Sequence, residues 1–185
     1  MPPKVKVTKE AIVNAAVQIV RSQGAQALNA RTVAAALDCS TQPVFSNFAT
    51  MEQLQQAVIA AAYERYLGFI KTEVESGKYL PYKANGMAYI RFAREERELF
   101  KLLYMYDRRG VPPADSDLNQ QMKDLVRHNT GMDDMKAQLF HLEMWAFVHG
   151  IATMFATGYF ELDWELVSRM LTDTYQGLRK QYGME

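Results

Sequence analysis

Apolar residues recur with a helical period along almost the whole chain, and this feature limits the possible folds more than any other. Near the N-terminus one such face consists of Ile12, Ala15, Ala16, Ile19 and Val20. Near the C-terminus another consists of Trp164, Val167, Leu171, Tyr175, Leu178 and Tyr182. Only Val5-Lys6-Val7 alternates as a strand would, and it is too short to form one. We therefore predict an all-α protein.

Capping residues divide this pattern into about nine helices. Thr8 and Gly24 are suited to the ends of the first helix, Asn29 to the start of a second, and Ser40 to the start of a third that ends near Phe48. Thr50 and Gln53 match a capping box that opens a long fourth helix, which reaches about residue 74. Five further helices are expected near residues 83–94, 96–108, 115–130, 133–158 and 163–182.

Charge and aromatic residues are unevenly distributed and suggest two domains. The chain has 21 basic and 21 acidic residues, so its formal net charge is zero. Residues 1–48, however, contain five basic and two acidic groups, so the excess negative charge lies in the remainder. Only two of the aromatic residues, Phe45 and Phe48, lie in this first segment. We predict a small basic domain over residues 1–50 and a larger aromatic domain over residues 51–185.

Several functional classes are disfavoured by composition. A single cysteine, Cys39, excludes an internal disulfide and favours a reducing, cytoplasmic location. The most apolar stretch, residues 144–160, is short for a membrane span, so no membrane association is expected. There is no phosphate-binding glycine loop, and Cys39 has no histidine nearby in sequence. We therefore expect no cofactor and no enzymatic activity.

The first domain has the pattern of a helix-turn-helix unit. Ala34, Ala35 and Ala36 allow close helix crossing, and the turn Asp38-Cys39-Ser40 leads into a short helix. That helix carries polar residues that can contact bases or phosphates, namely Thr41, Gln42, Ser46 and Asn47. Its expected anchors to the rest of the domain are Val44, Phe45 and Phe48.

Residues 8–54 resemble the DNA-binding domain of the TetR (tetracycline-repressor) family, about a quarter of the chain. The matching segments are Thr8…Ile12…Ala15-Ala16, Gly24, Asn29-Ala30-Arg31-Thr32-Val33-Ala34, Ser40-Thr41-Gln42-Pro43-Val44-Phe45-Ser46-Asn47-Phe48 and Glu52-Gln53-Leu54. Residues 91–100 and 145–150 are more weakly similar to effector-domain segments. The resemblance implies a homodimer that binds a palindromic double-stranded DNA operator and a small-molecule effector.

The resemblance and the charge pattern together assign a set of DNA-binding residues: Lys4, Lys6, Lys9, Arg31, Ser40, Thr41, Gln42, Phe45, Ser46 and Asn47. Three positions depart from the family pattern. Asp38 replaces the usual turn glycine, Phe45 the usual tyrosine, and Met51 the usual lysine. The tyrosine and lysine commonly contact phosphates, so the amides at the start of the fourth helix are an alternative phosphate site. A domain that no longer binds DNA is the competing interpretation.

The larger domain is expected to provide an effector pocket and a dimer surface. Seven of the 11 methionines lie between Met87 and Met154 among many aromatic residues, which suits an apolar or aromatic ligand. The candidate ligand-binding residues are Tyr89, Phe92, Phe100, Tyr104, Phe140, His141, Met144 and Trp145. The spacing of His141, Glu143 and His149 is not that of a zinc motif, so no metal is expected.

A helix that is apolar on most faces between residues 144 and 156 suggests burial on more than one side, as at a subunit interface. The resemblance implies a four-helix bundle formed by the last two helices of each subunit. The candidate interface residues are Phe147, Gly150, Ile151, Met154, Val167, Leu171, Tyr175 and Leu178. The sequence alone leaves open that such residues simply fill the core of one subunit.

Together these features predict a ligand-responsive transcriptional regulator, specifically a repressor that an apolar or aromatic effector releases from its operator. Two alternatives remain at this stage. One is a dimeric ligand-binding protein whose helix-turn-helix no longer binds DNA, and the other is an all-α enzyme.

Overall fold

The computed structural model describes residues 7–105 and 116–184, and within these ranges the chain is all-α, as predicted. Its helices are α1 (Lys9–Gln23), α2 (Ala30–Ala36), α3 (Gln42–Asn47), α4 (Met51–Glu75), α5 (Pro81–Glu95), α6 (Arg97–Tyr104), α7 (Ser116–Thr130), α8 (Asp134–Thr157) and α9 (Trp164–Gln181). A short 3-10 turn at Ala25–Ala27 follows α1 and was not expected from the sequence. The expected end of the sixth helix near residue 108, together with Lys4 and Lys6, lies outside the described residues.

Most helices begin where their capping residues indicate. The Thr8 hydroxyl accepts a hydrogen bond from the Ala11 amide at 3.1 Å, and Asn29 forms a reciprocal capping box with Thr32. Helix α3 differs from the expectation, because its N-cap is Thr41 rather than Ser40, and no side chain caps it. Pro43 lies in its first turn, where a missing N–H costs nothing because that turn has no intrahelical acceptor.

The turn before α3 depends on a left-handed backbone conformation at Asp38, where φ is +48°. The next amide, that of Cys39, donates to the Ala34 carbonyl at 3.0 Å and so closes the end of α2. Aspartate tolerates this region better than most residues with a β-carbon. The chain therefore retains the tight turn without the glycine that is usual in the family.

The described residues form two compact units, one of residues 7–65 with 96–105 and the other of residues 66–95 with 116–184. Helix α4 contributes to both units, and α6 belongs to the first although it is distant in sequence. The buried core of the first unit includes Ile12, Val20, Val33, Val44, Leu54, Leu99 and Leu103. This division differs from the domain boundary expected after residue 50, which remains a prediction.

A buried carboxylate joins three helices of the first unit. Glu96, the N-cap residue of α6, is 5% exposed, and its two oxygens accept bonds from Arg21 Nε at 2.6 Å and Nη2 at 2.8 Å. Arg65 Nε on α4 donates to Glu96 Oε1 at 2.6 Å. Because both carboxylate oxygens are satisfied by guanidinium donors, the desolvation of this buried charge is compensated.

In the second unit, α8 packs against α5, α7 and α9. Among the described helices, α8 is the one long and apolar enough, by length and composition, to cross a membrane, with 39% of its most apolar window buried. The apolar stretch noted at residues 144–160 mostly belongs to this longer helix. Its packing partners on three helices are nevertheless those of a core helix.

We expect Glu96→Gln to lower the free energy of unfolding by about 2 kcal/mol, because it leaves two partly buried guanidinium groups without their counter-charge. The matched control is Glu98→Gln, also on α6, whose carboxylate is 30% exposed and pairs with Lys101 one turn away. That change is expected to cost about 0.5 kcal/mol or less. Urea unfolding measures both, and equal losses would contradict the structural role of Glu96.

Candidate functional site

The exposed face of α3, with Ser40 before it, is the candidate DNA-binding surface of the first unit. Ser40, Gln42 and Ser46 are exposed, whereas Thr41 and Asn47 are half-buried. Val44 and Phe48 anchor the helix, at 1% and 3% exposure. Phe45 is 50% exposed, so its expected role as an anchor was wrong, and its ring is available to contact DNA.

Two of the polar residues of this surface are bonded to the backbone of their own helix. Ser46 Oγ donates to the Gln42 carbonyl at 2.9 Å, and Asn47 Nδ2 donates to the Pro43 carbonyl at 2.8 Å. The Gln42 side chain makes no hydrogen bond within the described part of the chain. Its amide can therefore present a donor and an acceptor to a base edge without first breaking an internal bond.

The basic residues of the first unit have different environments. Lys9 Nζ lies 5.0 Å from the centre of the Phe48 ring, beside the end of α3. Arg31 is exposed and forms no ion pair with any described residue. Arg21 is paired with Glu96, so it contributes less to the positive charge of residues 1–48 than its formal count implies. Lys9 and Arg31 are thus the described cations best suited to phosphate contacts.

The start of α4 is already occupied by an anionic side chain. The Glu52 carboxylate accepts hydrogen bonds from its own backbone amide and from the Thr50 hydroxyl, and these bonds lower its pKa. Gln53 also folds back, accepting from the Ala49 amide at 3.0 Å. A carboxylate at this position repels a phosphate group, which argues against the start of α4 as the replacement phosphate site.

The second unit contains a cavity of about 370 Å³, a size typical of small-molecule sites. Helices α5, α7, α8 and α9 contribute most of its wall. The wall is largely aromatic and aliphatic, and its apolar members are Tyr66, Tyr79, Leu80, Tyr82, Tyr89, Leu118, Met122, Met144, Trp145, Val148, Leu171 and Tyr175.

The structure brings half of the expected ligand-binding residues to this cavity, namely Tyr89, His141, Met144 and Trp145. Phe92 packs instead against Phe69, with ring centres 5.5 Å apart, and is fully buried. Phe140 packs against Tyr175 and Tyr182 in the same way. Phe100 and Tyr104 lie on α6 in the first unit, so they are not part of this site.

The expected dimer residues divide into three groups. Ile151, Val167 and Leu171 are at most 3% exposed within a single chain, so they leave little surface for a partner subunit. Tyr175 lines the cavity, and Leu178 packs against the core cluster around Phe140. Phe147 and Gly150 are half-buried, and Met154 is 36% exposed.

Two tyrosine–histidine pairs supply polar groups in and beside the cavity. Tyr82 Oη lies 3.0 Å from His141 Nδ1, and Tyr89 Oη lies 2.9 Å from His149 Nδ1. Burial lowers the pKa of both histidines, so the neutral imidazole is favoured. Trp145 stacks on the His149 ring at 4.9 Å.

The hydrogen bond between Tyr82 and His141 is compatible with two tautomers of the imidazole. Burial, and secondarily Tyr175, raises the pKa of Tyr82, so its hydroxyl stays protonated and can donate to His141 Nδ1 or accept from it. When the hydroxyl donates, His141 Nε2 carries the proton. It is buried and has no acceptor within the described residues.

Two of the polar lining residues that the sequence analysis missed lie on α5. Asn85 Nδ2 is a second buried donor without a described acceptor, and Lys83 Nζ donates to Thr172 Oγ1 at 2.7 Å. Both residues line the cavity. Tyr82, Asn85 and Gly86 lie seven, four and three positions before Tyr89, on one helical face. That spacing is the signal from which this wall could have been predicted.

The described residues contain no group of three or more His, Cys, Asp or Glu side chains placed to hold a metal ion. His141 and His149 each have a tyrosine hydroxyl at Nδ1. The described lining of the cavity offers a ligand apolar contacts and hydrogen-bonding groups.

A helix-turn-helix unit followed by a helical unit with an aromatic cavity defines a ligand-binding transcriptional regulator. Residues 82–174, half of the chain, match the family model described as tetracyclin repressor-like, C-terminal domain. The chain therefore belongs to the TetR family, as its N-terminal residues suggested. No curated protein matches the chain at a significant level.

Two solved structures share this fold. One is a TetR family member from Streptomyces coelicolor A3, 20% identical, with a TM-score of 0.60 over 90% of this chain and 96% of that chain. The other is the multidrug binding protein EbrR in complex with imidazole, also 20% identical, with a TM-score of 0.62 over 89% of this chain and 93% of that chain.

Membership of this family establishes the general function. The chain is a transcriptional regulator of the ligand-responsive type, and members of the family are generally soluble, non-enzymatic DNA-binding proteins that form dimers.

Proposed function

We propose that this protein is a cytoplasmic repressor that binds a palindromic operator as a homodimer and leaves it when a small molecule fills the cavity of its second unit. The observation that carries the proposal is the presence, in one family member, of both an exposed polar α3 face and a largely aromatic cavity. The Gln42 side chain is exposed on a helix-turn-helix and makes no hydrogen bond within the described part of the chain. This arrangement suits contact with DNA and is not required for ligand binding.

Helix α4 provides a physical route between the two activities. Its residues 51–65 belong to the first unit and its residues 66–75 to the second, and Tyr66 lines the cavity. An effector that binds one arrangement of these residues more tightly shifts the population toward that arrangement. Release from DNA follows if the favoured arrangement no longer matches the spacing of the two half-sites.

An exposed apolar stripe on α8 supports the dimer. Met135, Leu139 and Leu142 are 82%, 49% and 55% exposed, and Ala146 and Gly150 continue the same face at four-residue steps. On α9, Leu166 at 45% exposure is the corresponding apolar residue. Exposed apolar patches of this kind mark protein–protein interfaces. A symmetric contact through α8 and α9 covers the stripe and places two α3 helices in one assembly.

We expect Gln42→Ala to weaken binding to the specific operator by about tenfold or more, since a bidentate base contact contributes about 1–3 kcal/mol of discrimination. Binding to unrelated DNA is expected to stay unchanged. The promoter region of the protein's own gene serves as the first specific probe in gel-shift titrations.

Gln23→Ala, at the exposed end of α1, is the matched control and is expected to leave both affinities unchanged. Equal losses on specific and unrelated DNA would contradict base reading by Gln42. Failure of the unaltered protein to bind any promoter DNA would instead favour a ligand-binding dimer without DNA activity.

Met51 and Phe45 replace the lysine and tyrosine that commonly contact phosphates in the family. Restoring each of these residues is expected to change the salt dependence of DNA affinity differently. Met51→Lys adds a cation and is expected to steepen the dependence of log affinity on log salt by about 0.9 for each subunit that gains a phosphate contact. Phe45→Tyr adds only a hydrogen-bond donor, so it is expected to raise affinity at every salt concentration and leave the slope unchanged. Titrations from low to physiological salt test this, and an unchanged slope for Met51→Lys would refute it.

We expect Leu142→Lys to convert the homodimer into monomers, because it places two charges in a desolvated apolar interface. Val74→Lys, a comparable change at a 41% exposed aliphatic residue on α4, is expected to leave the dimer intact. Sedimentation velocity at micromolar protein concentration measures the result. A dimer that persists in Leu142→Lys would show that the α8 stripe is not the interface.

A further inference from the structure

The charged residues that line the cavity are all positively charged. Among its described lining residues are two lysines, Lys78 and Lys83, and no aspartate or glutamate. Neither ammonium forms an ion pair with a described carboxylate. Lys78 Nζ lies 5.2 Å from the centre of the Tyr79 ring, and Lys83 Nζ lies 4.9 Å from it. The positive charge at this wall is therefore balanced only by aromatic faces and by the neutral hydroxyl of Thr172.

Two buried polar atoms of the wall, Asn85 Nδ2 and His141 Nε2, have no hydrogen-bond partner among the described residues. The first is a donor, and the second is a donor when the Tyr82 hydroxyl donates to His141 Nδ1. A ligand acceptor at His141 Nε2 favours that tautomer. A buried donor without a partner is costly, which indicates that a ligand acceptor belongs there.

We propose that the effector is an amphipathic carboxylic acid, with an apolar or aromatic body against the cavity wall and its carboxylate among Lys83, Asn85 and His141. This inference rests on the proposed function, because it takes the cavity as the effector site. A carboxylate accepts several hydrogen bonds through two oxygens and supplies the negative charge that the lining lacks. A cationic ligand would meet like charge from Lys78 and Lys83 and no carboxylate among the described lining residues.

The lysine that faces this site is already held near it. Lys83 lies between Tyr82 and Asn85 on α5, and its bond to Thr172 joins α5 to α9. Exchange of the neutral hydroxyl for a carboxylate acceptor adds an attraction between opposite charges to a bond whose donor is already ionised. Lys78 is exposed and adds positive charge at the same wall.

The test compares three probes that share one aromatic body and differ only in the head group: 4-phenylbutyrate, 4-phenylbutanamide and 4-phenylbutylamine. Binding to the full-length protein is measured by calorimetry and by the fluorescence of Trp145 in a Trp164→Phe background, where Trp145 is the only tryptophan. We expect the carboxylate to bind at least about tenfold more tightly than the amide and the amine to bind most weakly. Equal affinities, tighter binding of the amine, or no binding of 4-phenylbutyrate at millimolar concentration would overturn the proposal.

Substitutions locate the head group. Lys83→Met is expected to reduce 4-phenylbutyrate affinity about tenfold and to leave the amide unchanged, whereas Lys71→Met at an exposed site on α4 should change neither. Asn85→Leu, of similar volume, is expected to weaken the carboxylate and to raise the urea midpoint of the ligand-free protein, because it removes an unsatisfied donor. Unchanged carboxylate affinity in both Lys83→Met and Asn85→Leu would overturn the assignment.

The same samples separate this inference from the proposed function. If the protein binds its operator and the amine or the amide, rather than the carboxylate, releases it, the repressor proposal stands and the carboxylate inference is wrong. If the protein binds no operator but shows the expected head-group preference and Lys83 dependence, the ligand class is correct and the repressor proposal is wrong.

Discussion

The buried carboxylate of Glu96 is the constraint on which the first unit depends. Its two guanidinium partners come from positions 75 and 31 residues away in sequence, on α1 and α4. The helix-turn-helix is built on α1, because α2 and α3 pack against it. The ion pairs therefore fix α1, against which the helix of the candidate DNA-binding surface packs, to α4 and α6. Hydrophobic contacts such as Leu99 and Leu103 supply the burial, while the charged cluster specifies the register of the three helices.

The second unit also contains a buried carboxylate that joins helices through an ion pair. Glu73 on α4 is 3% exposed and pairs with Arg91 on α5 at 3.1 Å, and the Arg91 guanidinium lies 5.1 Å from the Trp164 ring on α9. Helix α4 thus carries Arg65, which is fixed in the first unit, and Glu73, which is fixed in the second. Buried ion pairs are sensitive to geometry, because their desolvation is compensated only when the hydrogen bonds are complete. A long helix held at two such points is suited to transmit a change from one unit to the other.

Local signals in the sequence predicted local structure well. Thr8, Asn29 and the Asp38 turn act within a few residues, so their patterns identified the caps and the helix-turn-helix. Periodicity identified the apolar face of α9 but not what covers it, and Val167 and Leu171 proved to face their own unit. Aromatic composition likewise does not separate a core residue such as Phe140 from a cavity residue such as Trp145. The pairing of Arg21 with Glu96 has no local signature, because it depends on the tertiary arrangement.

The unsatisfied donors at the cavity connect its chemistry to regulation. A donor buried without a partner destabilises the ligand-free arrangement by about 1–3 kcal/mol, which is comparable to the coupling free energy of typical allosteric systems. An acceptor that reaches Asn85 and His141 removes this penalty only in arrangements where both donors still face the cavity. A ligand with such an acceptor therefore binds one arrangement of α5 and α8 more tightly than the others. This difference in affinity is the condition for a ligand to shift a conformational population. A purely apolar ligand fills the same volume with less difference between arrangements, so under the proposed function the polar groups, rather than the size of the cavity, determine the response to the effector.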